Sequence, residues 1–515
     1  MMIVVDDFCN FARLGSVGTI TSCREVLIYQ IGPVSMNSNR FFLWVWLGLL
    51  GAGPAVALEL EPCELHTTDG VRSVQAQCGR YQVAENPAQA DGRTISLRVA
   101  KVPARAAEPQ PDPLFIFAGG PGQAATEAYP LLGGVFHEIN RDRDIILIDQ
   151  RGTGGSNPLR CPMDMTDFTQ PLDLDQLRID VRKCLSEVDG DPRYYTTTIG
   201  MSDYDQVRAV LGYEQINLWG GSYGTRAAQV YLRQYPQRVR SLVLDSVAPP
   251  QLALGSEHGR QLERVLRLTI ERCLDDQACH KAFPNLEQEF ISLREELERN
   301  PRILDIPDPR TGETVRVLAD RNSLAVALRF LSYGSPSQAL MPLLVHQAAA
   351  GDVERLLAQG VIAVSGLIDQ LARGMELSVS CAEDIPFMGD VSAETNTLIG
   401  MTMIDAMRVS CEVWPRGEVP EDFHQPFPSD VPALLLAGEF DPVTPPAYAA
   451  LAAEQYSQHQ VIVVPGRGHL VSHHGCMPEL LSEFINNPDP AALDTSCVER
   501  IGPEPFFIRS TGPQP

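Results

Sequence analysis

Short runs of apolar residues recur along the chain, each closed by Gly, Pro or a charged side chain. Residues 94–99 alternate, with Ile95, Leu97 and Val99 on one face, as a half-buried strand does. Four continuous runs come next: Leu114–Ala118, Asp144–Asp149, Ile216–Trp219 and Ser241–Asp245; two more come late, Ala433–Ala437 and Val461–Val464. Continuous runs of this length predict strands buried on both faces, hence a parallel sheet. Helical spacing lies between them, as in Thr225–Gln234, stopped by Pro236. This alternation predicts an α/β fold. From about 251 to 425 the texture changes. Apolar residues recur at helical spacing in 259–275, 286–299, 323–332 and 338–349, and strand signals are sparse. We therefore expect a core in two halves, 58–250 and 426–498, with a helical insertion over 251–425. Residues 499–515 form a Pro-rich tail in which Phe506-Phe507-Ile508 offer a docking point.

The N-terminus reads as an address. Residues 41–50 are apolar, Arg40 precedes them, and Gly51, Gly53 and Pro54 lead to Ala55-Val56-Ala57, a small-x-small cleavage pattern. Met36 begins a natural short basic region, so translation is expected to start there, with 1–35 an upstream extension and 1–57 absent from the mature chain. The competing reading is a membrane anchor over 41–58; the Gly/Pro/Ala-rich second half favours cleavage and leaves no stable membrane insertion. The expected location is periplasmic or extracellular. Loss of 1–57 removes Cys9 and Cys23 from the 12 cysteines and leaves an even number, as exported disulfide-bonded proteins have. The simplest connectivity joins neighbours: Cys63 with Cys78, Cys161 with Cys184, Cys273 with Cys279, Cys381 with Cys411 and Cys476 with Cys497. No CxxC or HExxH spacing supports a metal site, and none is expected.

Charge narrows the partners. The 515 residues carry 65 acidic and 41 basic side chains, a formal net charge of -24, with no Lys/Arg run. Nucleic acids and anionic membrane surfaces are excluded as partners, since both require a basic face. Hydrophobic content of 44% excludes a disordered chain. Nothing in the sequence specifies an oligomeric state.

Three segments carry chemistry. Gly220-Gly221-Ser222-Tyr223-Gly224 lies between a predicted strand and a predicted helix, the context a nucleophile elbow requires. Ala118-Gly119-Gly120-Pro121-Gly122 comes directly after a strand; its glycines let main chain approach a developing oxyanion, and the N–H groups of Gly120 and Tyr223 are the expected donors. Late in the chain, Gly438-Glu439-Phe440-Asp441-Pro442 and Pro465-Gly466-Arg467-Gly468-His469 each succeed a strand. Serine needs an imidazole to take its proton and a carboxylate to orient that imidazole. The order Ser222, Asp441, His469 is the α/β-hydrolase order. Glu439, His473 and His474 compete for these roles and rank lower. A plain Gly-rich loop with a solvated serine is the bland alternative.

Together with Asp149-Gln150-Arg151-Gly152-Thr153-Gly154 and Asp441-Pro442-Val443-Thr444-Pro445, these motifs resemble the proline-iminopeptidase and tripeptidyl-aminopeptidase family of α/β-hydrolases over roughly 90–250 and 425–480. The resemblance implies an α/β-hydrolase fold with a helical cap, and a secreted or periplasmic serine peptidase that shortens peptides from their free N-termini without a cofactor. Peptides are then the expected partners. The family often has His before Gly-Gly-Pro-Gly, where this chain has Ala118; backbone donors survive that change. An aminopeptidase must also hold a protonated amine. Glu383 and Asp384, in Cys381-Ala382-Glu383-Asp384, resemble the acidic pair of secreted members and are the expected amine-binding residues, with a solvated acidic loop as the alternative. Asp149 and Arg151 are expected to pin the oxyanion loop. An esterase with the same triad is the runner-up, and a non-catalytic binding protein of the same fold is the third reading. Ser222 at the nucleophile position excludes the dehalogenases and epoxide hydrolases, which need Asp there.

Overall fold

The computed structural model describes residues 58–161, 170–308, 312–368 and 370–512. The expected extension and signal peptide fall outside them. Nine strands form one sheet: β1 (Glu61–His66), β2 (Ser73–Ala84), β3 (Thr94–Val102), β4 (Leu114–Phe117), β5 (Ile145–Ile148), β6 (Ile216–Gly221), β7 (Val239–Asp245) and, after a hairpin of β8 (Arg302–Pro307) and β9 (Thr314–Ala319) in the insertion, β10 (Ala433–Gly438) and β11 (His459–Val464). The order is β1-β2-β3-β5-β4-β6-β7-β10-β11. From β5 to β11 neighbouring strands run parallel, while β1, β2 and β3 pair antiparallel at one edge. The protein thus has the expected α/β-hydrolase architecture with a mostly parallel sheet.

The central strands read as unbroken apolar runs because both sheet faces are covered. Phe115, Phe117, Leu218, Leu244 and Leu435 enter one buried cluster, and Leu114, Ile116, Trp219, Val243 and Leu434 enter the other. The apolar-run reading missed β1 and β2, which are only partly buried, and β8 and β9, whose partly exposed hairpin belongs to the insertion. The insertion has its own apolar centre, including Leu262, Leu293 and Leu328, and Phe506 of the tail is buried in it. Helix Arg373–Glu383 differs from the rest of the insertion: its Met375 and Val379 join the cluster on the sheet. Five disulfides join sequence neighbours, Cys63–Cys78, Cys161–Cys184, Cys273–Cys279, Cys381–Cys411 and Cys476–Cys497. No helix among the described residues is long and apolar enough to cross a membrane.

The junction of helix Arg373–Glu383 with the core is polar and buried, and it contains Glu383 and Asp384. Both are buried, at 0% and 1% exposure, and both are engaged by donors of the protein itself. Glu383 accepts from the Thr197 N–H at 2.6 Å and the Thr197 hydroxyl at 2.7 Å. That hydroxyl lies 2.7 Å from the Tyr223 phenol, which accepts from Gln150 at 3.1 Å. Glu383 therefore caps helix Thr197–Val210 and reaches the elbow through two hydroxyls. Asp384 takes the Arg226 guanidinium at 2.7 Å and the Leu254 N–H at 2.7 Å. An acidic dipeptide gives no sign of burial in the sequence, and in the structure these carboxylates join helix Arg373–Glu383 to the core.

Burial pushes the Glu383 carboxyl up to about 7 from 4.5, against the pull of Arg226 and Thr197. The folded state thus binds this proton more tightly than the unfolded chain. The stabilisation is complete below the unfolded value near 4.5 and is lost as pH rises through about 7; at most it is roughly 3 kcal/mol. Glu383→Gln cannot titrate. Thermal melts at pH 5 and pH 8 are expected to show the variant gaining on the parent at the higher pH; a pH-independent difference refutes the assignment.

Candidate active site

Strand β6 ends in Gly220-Gly221 and helix Tyr223–Gln234 begins one residue after Ser222. Ser222 makes that reversal alone, at φ 55 and ψ -123. A positive φ costs a non-glycine residue about 1–3 kcal/mol and survives only where its surroundings enforce it. They do so here by close packing. A Cβ on Gly224 would lie 2.1 Å from the Phe117 carbonyl oxygen, so only glycine lets the new helix begin against the end of β4. The outer letters of G-x-S-x-G are therefore steric requirements of the turn.

Asp441 and His469 come just after β10 and β11. The His469 Nδ1 lies 2.8 Å from Asp441 Oδ2. The other carboxylate oxygen accepts the N–H groups of Val443 and Thr444, each at 2.8 Å, and the Thr444 hydroxyl adds a bond to Oδ2 at 2.8 Å. Burial alone would raise the Asp441 carboxyl; the imidazole and these donors outweigh it and hold the group below its ordinary range. The aspartate's peptide carbonyl accepts from Arg264 at 2.5 Å. The His469 N–H donates to the Tyr333 carbonyl at 2.8 Å. That backbone bond sets the histidine loop under the insertion, and the Tyr333 ring stands edge-on to the imidazole with centroids 5.2 Å apart. Of the competing residues, Glu439 accepts the Gly466 N–H at 2.8 Å, and His473 and His474 lie against each other with ring centroids 3.9 Å apart. Burial lowers both of these histidines.

The end of β7 ties the serine turn to the histidine loop. The Asp245 carbonyl accepts the Ser222 N–H at 2.9 Å. Its buried carboxylate accepts the N–H groups of Val471 at 2.9 Å and Ser472 at 2.8 Å, and the Ser246 hydroxyl accepts the Leu470 N–H at 2.8 Å. Two adjacent residues thereby hold the turn at 222 and the loop at 469–472 on one sheet edge. Sequence reasoning missed Asp245 and Ser246. The one available signal was a charged residue closing an otherwise apolar strand.

The Gly119–Gly122 loop lies against the elbow: a Cβ on Gly119 would be 3.1 Å from Ser222 Cβ. Gly120 has φ 39, a conformation suited to glycine, and its carbonyl accepts the Gln123 N–H at 3.0 Å. The loop is held from the insertion side, where Gly122 accepts the Ala372 N–H at 3.0 Å and Gln123 bridges to Leu371. Tyr223 is the first residue of its helix, where backbone N–H groups have no partner within the helix. Asp149 reaches the helix after the loop, accepting the Thr126 N–H at 2.9 Å and its hydroxyl at 3.0 Å. Arg151 does not touch the loop; it pairs in a fork with buried Asp203 at 2.7 and 2.8 Å. Ser222, Asp441, His469, Gly120 and Tyr223 thus all sit just past the carboxyl ends of parallel strands, where ligands of such sheets collect. Glu383 and Asp384 lie beneath them in the junction described above.

Residues 112–269 match the family model described as alpha/beta hydrolase fold, and residues 396–497 match that of TAP-like protein. Serine protease Hip1 of Mycobacterium tuberculosis is 27% identical over 219 residues, 38% of this chain and 40% of the relative. The putative hydrolase YuaR of Escherichia coli is 23% identical over 433 residues, 78% of this chain and 83% of the relative. Tripeptidyl aminopeptidase of Streptomyces lividans is 28% identical over 193 residues, 34% and 36% of the two chains. The aligned part thus spans well under half of Hip1 and of the aminopeptidase. Taken with the sheet order and the residues at its carboxyl edge, these matches place the chain among the α/β-hydrolases and make it similar to peptidases that include tripeptidyl aminopeptidases and proline iminopeptidases.

Proposed function

We propose that the protein is an exported serine aminopeptidase working through Ser222, His469 and Asp441. One observation carries this reading: a strained serine turn and a buried His–Asp pair at 2.8 Å are fastened to the same Asp245-Ser246 corner. In the first half-reaction the Ser222 hydroxyl attacks the scissile carbonyl and His469 takes its proton. Asp441 keeps the imidazole in the tautomer that accepts at Nε2. The Gly120 and Tyr223 N–H groups stabilise the oxyanion, an effect of about 3–4 kcal/mol per donor. His469 then protonates the leaving amine, and water, activated by the same imidazole, clears the acyl-enzyme. The insertion covers both arms of the site, with Tyr333 on His469 and Leu371 near Gly120. Such cover favours a chain end over the middle of a folded polypeptide. The names of the aminopeptidase relatives support the same choice.

A carboxylic ester hydrolase is the second reading. The engagement of Glu383 and Asp384 by Thr197, Arg226 and Leu254 favours it, because those donors already occupy the carboxylates expected to distinguish a peptide amine from an uncharged ester.

Ser222→Ala should lower kcat by about 10⁴-fold or more and abolish fluorophosphonate labelling, with the melting temperature unchanged. Asp441→Asn should lower kcat by a comparable factor, about 10⁴-fold, because it disturbs the imidazole tautomer. Retained turnover in Ser222→Ala refutes the nucleophile assignment. A panel of free-amine tripeptidyl and aminoacyl amides, their N-acetylated forms and simple esters separates the two readings. The aminopeptidase prefers the free-amine amides; preference for esters or blocked amides overturns it. N-terminal sequencing of the exported form is expected to begin at Leu58, and a retained Met1 contradicts export by cleavage.

A further inference from the structure

Five arginines are buried among the described residues: Arg143, Arg151, Arg208, Arg226 and Arg329. Four have a carboxylate within 3.0 Å, namely Asp112, Asp203, Asp205 and Asp384 in that order. Arg329 has no carboxylate partner among the described residues. It is 4% exposed, its Nη1 has no hydrogen-bond partner, and its Nη2 meets only the Tyr333 hydroxyl, at a long 3.5 Å. A desolvated guanidinium without a counter-ion is unfavourable, and a protein normally supplies the missing carboxylate.

The location of this cation points to its use. Arg329 lies on the insertion helix Arg321–Leu331, and its guanidinium carbon is 5.8 Å from the centre of the Tyr333 ring. The same ring stands edge-on to the His469 imidazole at 5.2 Å. On another side is His258, the first residue of helix His258–Asp275. Burial, Arg329 and His469 all act to keep His258 neutral, so it supplies no competing positive charge and no counter-ion. The unpaired cation is therefore on the histidine side of the site. That is the side from which the leaving amine is protonated in the proposed mechanism.

We infer that Arg329 receives a carboxylate carried by the leaving part of the substrate, either the peptide's own C-terminal carboxylate or an acidic side chain. This rests on the peptidase reading and deepens it: the preferred substrates are short peptides with a negative charge beyond the scissile bond. The planar guanidinium offers paired donors to such a group.

The test fixes the N-terminal tripeptide and varies the leaving part. One arm compares Ala-Ala with a free C-terminus against Ala-Ala-amide; the other compares Asp-Ala-amide against Asn-Ala-amide. Unsubstituted protein should favour the charged member of at least one pair by about tenfold or more in kcat/KM, mainly through KM. The arm that shows the preference identifies the source of the carboxylate. In Arg329→Gln the charged-to-neutral ratio should fall towards one, and Arg329→Lys should keep an intermediate ratio. Equal kcat/KM within both pairs in the unsubstituted protein overturns the inference while leaving the peptidase reading intact, and this measurement needs no variant to fold. A loss by the same factor on charged and neutral peptides in Arg329→Gln also overturns it. Failure to cleave any of the peptides by protein whose Ser222 reacts with a fluorophosphonate overturns the peptidase reading, and the inference with it.

Discussion

The site depends on how one strand end distributes its hydrogen bonds. Asp245 gives its carbonyl to the serine turn and its carboxylate to the loop after the histidine, and Ser246 adds the Leu470 N–H. Two surface loops far apart in the sequence would otherwise be free to drift against each other. A shift of about 1 Å between reacting groups can cost about 100-fold in rate. The fold meets this demand with backbone geometry fixed by a buried carboxylate. Burial raises the Asp245 carboxyl, while the two N–H groups and the Ser472 hydroxyl oppose that shift. This hydrogen-bonded carboxyl closes a strand whose interior is apolar.

Directional hydrogen bonds also join the insertion to the core. Arg264 donates to the carbonyls of Glu439 and Asp441, Gln338 to that of Phe440, and Arg226 to Asp384. These contacts are directional, and two of the four are buried. Apolar packing would hold the two parts together but leave their relative register loose, whereas each of these bonds specifies a distance and an angle. The insertion is thus part of the frame of the site as well as its cover.

The core strands were legible because parallel strands covered on both faces carry few polar residues, and their runs stand out from the chain. The elbow was legible because the steric needs of the turn are written as glycines at 220 and 224. The edge hairpin of β1 and β2 was not, since its exposed residues carry no such pattern. Carboxylates were the least legible. Asp245, Glu383, Asp384 and Asp441 have the same side-chain chemistry, and only their partners separate a clamp, a helix cap, a buried ion pair and an imidazole anchor. The missing partner of Arg329 is likewise visible only when the other buried guanidinium groups have been matched.

The Gly119–Gly122 loop leans on Leu371 and Ala372, which by sequence belong to the insertion. This sets a limit on modularity. A lineage can remodel the outer helices, but the stretch from Gln370 to Asp384 must be inherited with the core. Grafting a foreign segment between residues 250 and 425 would remove the buttress of the glycine loop. The exchangeable part of this hydrolase is therefore smaller than its insertion, and its inner boundary lies before Gln370.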